Sequence, residues 1–192
     1  MTTISADPVF IDTNVLIYAS ISTSPYYSIA IDHLRYFENV RADQWISRQI
    51  LREYLAVQTR PIPSKNMLSV KEITADIFSF QSRFLIAEDG PLVTDQLLKL
   101  IGSIPIGGKQ IHDANLVATM LAHGLRRLLT HNVIDFQRFA GTIDVIPDDL
   151  KRPGSCIQRV LSQTLCQDPR NSRKHDLMYL RVRLHRVLRI RL

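Results

Sequence analysis

Four carboxylates stand where an α/β protein would put chemistry. Asp12 closes the short apolar run Val9-Phe10-Ile11. Glu53 lies within Ser47-Arg-Gln-Ile-Leu-Arg-Glu-Tyr-Leu-Ala56. Asp113 opens a helical pattern, and Asp135 follows the apolar pair Leu128-Leu129 within Thr130-His-Asn-Val-Ile-Asp-Phe136. Oxygen donors without any Cys/His ligand spacing favour a hard cation, Mg²⁺ or Mn²⁺, over zinc. Mg²⁺ held by few carboxylates keeps waters and joins phosphate substrates. Such a site turns water into the nucleophile for in-line attack on a phosphodiester and stabilises the leaving oxygen. Each acid also has a plainer structural role open to it. Asp12 would cap the helix that begins at Thr13-Asn14. Asp113 would be a first-turn acid favoured by the helix dipole. Asn132 and Asp135 would form a capping box, and Glu53 would be a solvated helix acid.

The elements that must position these acids follow from periodicity. Pro8 and the run after it predict a buried strand ending at Asp12, where ligands gather in an open α/β sheet. Residues 25–40 place Ile29, Ala30, Leu34 and Phe37 on one helical face. Trp45-Ile46 is a second strand, and Ser47 is a good N-cap for the helix from Arg48. That helix is apolar at Ile50, Leu51, Tyr54 and Leu55, with Gln58 on the same face and Glu53 at its border. Arg60-Pro-Ile-Pro-Ser64 reads as a loop. A third long helix over 70–84 carries Ile73, Ile77, Phe78 and Phe80, and 84–87 is a third strand. Residues 92–101 are helical by period, 102–108 a flexible stretch. The helix over 110–123 ends at Gly124, a C-terminal cap. On it Asp113 lies in line with Leu116, Val117, Met120 and Leu121. There burial of a carboxylate would be costly without a cation. Leu128-Leu129 is a fourth strand, 134–139 a short helix and 142–146 a fifth strand. Strands alternating with helices predict a mostly parallel sheet. Strands one and four as neighbours would bring the acids together.

The 192 residues carry 24 basic and 18 acidic side chains, a formal net charge of +6. The excess is not spread evenly. Residues 1–150 hold 13 basic and 16 acidic side chains, a net of −3; residues 151–192 hold 11 and 2, a net of +9. The division predicts one globular domain over 1–150 and a basic C-terminal extension over 151–192. The extension is either an RNA-binding arm or a solvated tail with no folded role. Two cysteines are too few for a disulfide framework. No apolar run reaches the ~20 residues of a membrane helix, and no signal pattern opens the chain. A cytoplasmic protein is expected.

Four stretches together resemble the PIN-domain nucleases, and within them the VapC-type ribonuclease toxins of bacterial toxin–antitoxin pairs. They are Phe10-Ile-Asp-Thr-Asn-Val-Leu-Ile-Tyr-Ala19, residues 47–56 quoted above, Ile111-His-Asp-Ala-Asn-Leu-Val-Ala-Thr-Met-Leu-Ala-His-Gly124 and Leu128-Leu-Thr-His-Asn-Val-Ile-Asp-Phe136. They fall in the family's order and spacing over about residues 7–148. The resemblance implies a three-layer α/β/α fold and a Mg²⁺- or Mn²⁺-dependent endoribonuclease. It places Asp12, Glu53, Asp113 and Asp135 in the acidic site, the last at a position that varies in the family. Thr13, Asn14, Thr130 and Asn132 would hydrogen-bond ligands or the scissile phosphate. A homodimer and a cognate antitoxin that holds the toxin inactive are implied as well. The extension from Lys151 has no counterpart in the family pattern.

Rival readings are a haloacid-dehalogenase-type phosphatase, which needs a second acid where Asn14 stands, and a receiver domain, which needs an acid pair and a late Lys. The stronger rival is a non-catalytic PIN-like module that binds RNA or protein. Arg48, Arg52 and Lys109 are candidate phosphate contacts, or ordinary solvated charges.

Overall fold

The computed structural model describes residues 6–60 and 68–147. In them the chain runs β1 (Val9–Ile11), α1 (Thr13–Ser20), α2 (Tyr27–Asn39), β2 (Gln44–Ser47), α3 (Arg48–Gln58), α4 (Val70–Arg83) and β3 (Leu85–Ala87). It continues through α5 (Pro91–Ser103), α6 (Gln110–Ala122), β4 (Arg127–Thr130), α7 (Val133–Phe136), a single 3₁₀ turn at Gln137–Phe139, and β5 (Asp144–Pro147). The five strands pair in the order β3-β2-β1-β4-β5, all parallel. Phe10 is in register with Trp45 on one side and Leu128 on the other.

Val9, Phe10 and Ile11 have no exposed surface, as expected of a central parallel strand covered on both faces. Strand order moves one way from β1 to β3 and the other way from β4 to β5. Right-handed crossovers then place α1 to α4 over one face and α5 to α7 over the other, a three-layer α/β/α architecture. The packing agrees: α1 rests on α2 and α3, α5 on α6, and α6 on α7. The reversal falls between β1 and β4, so Asp12 and Thr130 end up side by side at the topological switch point.

Most expected elements form near their expected bounds. Ser47 caps α3, accepting from Ile50 N at 3.3 Å. Gly124 takes φ +71°, and Leu125 N closes back on Met120 O at 2.8 Å, the six-residue bond of a Schellman C-cap. α5 is longer than expected, because Pro91 is tolerated in its first turn and Ser103 still belongs to it. β5 starts two residues late, after a turn at Gly141 with φ +87°. On α4 only Ile73 is buried, and Phe78 is 67% exposed. Five residues on from Ile73, Phe78 points about 140° around the helix, off the face that packs. Pro61 to Ser64, the boundary at residue 150 and the extension 151–192 lie outside the described residues. Among the described residues, no helix is long and apolar enough to cross a membrane.

Candidate active site

Asp12 is at once a helix cap and the centre of a buried polar network. It sits in extended backbone as the N-cap of α1, only 7% exposed. Its Oδ1 accepts from Thr13 N at 2.6 Å. Its Oδ2 accepts from Thr130 Oγ1 at 2.5 Å and Asn14 Nδ2 at 2.7 Å. A carboxylate offers about four lone pairs, so three donors leave room for one more partner. Burial pushes the Asp12 carboxyl up from its ordinary 3.8 to about 6, the donated hydrogen bonds opposing this and the Glu53 and Asp113 charges adding to it.

Thr13 joins Asp12 to Glu53. Its Oγ1 donates to Glu53 Oε2 at 2.6 Å while its N–H holds Asp12. Gln49 Nε2 donates to the other Glu53 oxygen at 2.7 Å. On the far side Thr130 Oγ1 also accepts from Asn14 Nδ2 at 3.1 Å and from Asn132 N at 2.9 Å. Asn14 Oδ1 takes the His131 N–H at 3.2 Å, closing β4 onto α1. The Asn132 amide then donates to Asp135 Oδ2. The capping box open to these two residues is not formed, since no side-chain cap bond closes at Asn132. An Asn beside a carboxylate presents its N–H rather than its C=O.

One chain of hydrogen bonds therefore runs Glu53–Thr13–Asp12–Thr130–Asn132–Asp135 through six of the eight expected residues, with Asn14 bridging its middle. Asp113 is reached by field rather than by hydrogen bond. It is half-buried in the first turn of α6, and no side-chain hydrogen bond to its carboxylate forms among the described residues. Burial raises its pKa first, and the charges of Asp135 and then Glu53 raise it further, against the pull of Arg138 and His112. Among the described residues none of the four acids forms an ion pair.

These observations fit a divalent cation. Four oxygen acids crowd one edge, Asp12 is buried and hard to ionise, and Asp113 has like charges and no donor. Asp12, Glu53, Asp113 and Asp135 are the residues that would hold the ion. Among the described residues, however, no three His, Cys, Asp or Glu side chains already stand close enough to form a coordination shell.

Arg48 and Arg52 both face surface acids. Arg48 forms a forked pair with Glu88, at 2.6 Å, and Arg52 lies 3.9 Å from Asp89. Lys109 stays exposed ahead of α6. The His131 ring packs edge-on against Tyr18 at 4.5 Å. The site residues that sequence reasoning missed are Gln49 and Asn115. Gln49 is 8% exposed, and its position four residues before Glu53 was the only local signal.

No family model and no curated protein sequence matches the chain. Solved structures do. VapBC-1 from nontypeable Haemophilus influenzae aligns with a TM-score of 0.54 at 16% identity, covering 74% of this chain and 98% of that one. VapBC2 from Rickettsia felis, bound to a DNA fragment from its promoter, gives 0.53 at 17%, covering 73% and 97%. A toxin–antitoxin complex from Klebsiella pneumoniae gives 0.52 at 20%, covering 73% and 97%. The chain shares with these structures a three-layer α/β/α, PIN-like fold.

Proposed function

We propose that this chain is a Mg²⁺- or Mn²⁺-dependent endoribonuclease and the toxin of a toxin–antitoxin pair. The observation that carries the reading is the gathering of Asp12, Glu53, Asp113 and Asp135 at the switch point, with no ion pair to any of them among the described residues. The bound ion would supply an activated water and charge stabilisation on the phosphodiester. The chain's own part is to hold the acids. Thr13 and Thr130 orient Asp12, Thr13 and Gln49 orient Glu53, and Asn132 orients Asp135. The sequence resemblance supports RNA as substrate and a homodimer, and a cytoplasmic setting is part of the proposal. A cognate antitoxin partner is supported by the VapBC complexes that share the fold.

The second reading is a non-catalytic PIN-like binding module, favoured by the absence of a ready coordination shell among the described residues. One experiment separates the two. Purified chain is incubated with RNA in Mg²⁺ or Mn²⁺ and in EDTA, beside Asp12→Asn and Asp113→Asn. Metal-dependent cleavage absent from both variants is the expected result. Binding of RNA without any cleavage would favour the module.

A further inference from the structure

We propose that Gln49 is a positioning residue. It sets the separation of Glu53 from the first turn of α6, and with it the affinity of the acidic site for a divalent cation. The proposal rests on reading that site as a metal site. Gln49 is buried near the start of α3, and its amide is fully used. Nε2 donates to Glu53 Oε1 at 2.7 Å and to the His112 carbonyl at 3.0 Å. Oε1 accepts from Asn115 Nδ2 at 2.8 Å. His112 and Asn115 flank Asp113 in the chain. The two bonds to them are the side-chain hydrogen bonds that join α3 to α6 among the described residues.

The arrangement admits one amide orientation. The Glu53 carboxylate and the His112 carbonyl can only accept, so both require the N–H₂ end. Asn115 donates to the opposite end and locks that choice. Glu53 is thus fixed at both oxygens, by Thr13 from α1 and by Gln49 from its own helix. Asp113 makes no such bond, so its distance from Glu53 depends on where α6 is docked. Gln49 ties the first turn of α6 to α3 there, while the rest of the helix packs on α5. Groups that orient ligand carboxylates typically change metal affinity by about 10–100-fold when removed.

The test is calorimetric titration of Mn²⁺ into the metal-free full chain, with folding checked by thermal melting. Gln49→Met keeps the length and loses all three bonds. It should weaken Mn²⁺ binding about 10–100-fold. Asn115→Ala releases the amide to turn but leaves it in place, and should cost less, on the order of threefold. Gln58→Met removes another buried amide from α3, near the other end of the helix, and should leave affinity unchanged. Wild-type affinity in both Gln49→Met and Asn115→Ala overturns the proposal, as does an equal loss in Gln58→Met. If Gln49→Met does not fold, Asn115→Ala decides. A wild-type chain that takes up no Mn²⁺ overturns the metal reading itself, and this proposal with it.

Discussion

The two edges of the sheet hold charge in opposite ways. At the amino-terminal edge a cleft of about 410 Å³ is lined by Glu38, Arg41, Asp43, Gln44 and Arg83, two acids against two bases. There Arg83 pairs with Glu38 at 3.3 Å. At the carboxyl-terminal edge four acids meet, and hydrogen bonds rather than cations hold three of them in place. This cleft lies away from the four acids. Ordinary surface charge is arranged to cancel. Like charges kept together against their own repulsion and burial mark a place where the fold serves a ligand.

The widest gap between the edges should appear in activity. Asp12→Asn and Asp113→Asn should each slow metal-dependent RNA cleavage by about a thousandfold, the several kcal/mol of a metal-assisted step. Glu38→Gln, at the other edge, should leave the initial rate unchanged. Comparable losses at both edges would dissolve the contrast.

A smaller effect should appear in stability. Thr130 is fully buried and serves Asp12, Asn14 and Asn132 through one hydroxyl. Thr130→Val should cost about 1–3 kcal/mol in urea unfolding, because the donors of Asn14 and Asn132 lose their acceptor. It should also push Asp12 further above 6, since the Thr130 bond is the strongest influence holding it down.

Next is the cost of keeping Asp12 ionised. The folded carboxyl binds its proton more tightly than the unfolded one, about 6 against 3.8. Stability of the metal-free protein therefore falls as pH rises from about 4 to about 6, and stays reduced above that, by at most about 3 kcal/mol. Asp12→Asn should raise the melting temperature of metal-free protein at pH 8, for a net gain of about 1 kcal/mol once the mismatched Asn14 contact is subtracted. Below pH 4 the gain should be gone, and the mismatched contact alone should leave the variant less stable than wild type. A gain equal at both pH values would contradict the burial account. Smallest of all, Arg48→Ala should leave the melting temperature unchanged, since its fork with Glu88 is exposed.

The strands, the helix starts and the edge where the acids gather were legible because they are written in local pattern. Apolar runs end at Asp12 and Thr130, and Ser47 and Gly124 cap helices by their own chemistry. What was not legible depends on partners distant in sequence. Nothing about Gln49 or Asn115 shows that they meet across 66 residues. A glutamine near a helix start reads as solvated until its partner is known. Phe78 failed in the other direction, because an apolar residue in a helical segment is counted toward the core until the packed face is fixed. The Asn132–Asp135 contact turned on which end of an amide faces a carboxylate. Helix-cap statistics do not specify that choice.

Mn²⁺ uptake by the acidic edge is the most direct test of a metal site there. Thermal unfolding of metal-free protein, with and without Mn²⁺ at about a hundred times its dissociation constant, should show the wild type stabilised by about 2.7 kcal/mol, several degrees. The Asp12→Asn/Asp113→Asn double variant should show no shift. An equal shift in the double variant would put the ion elsewhere and contradict the central claim.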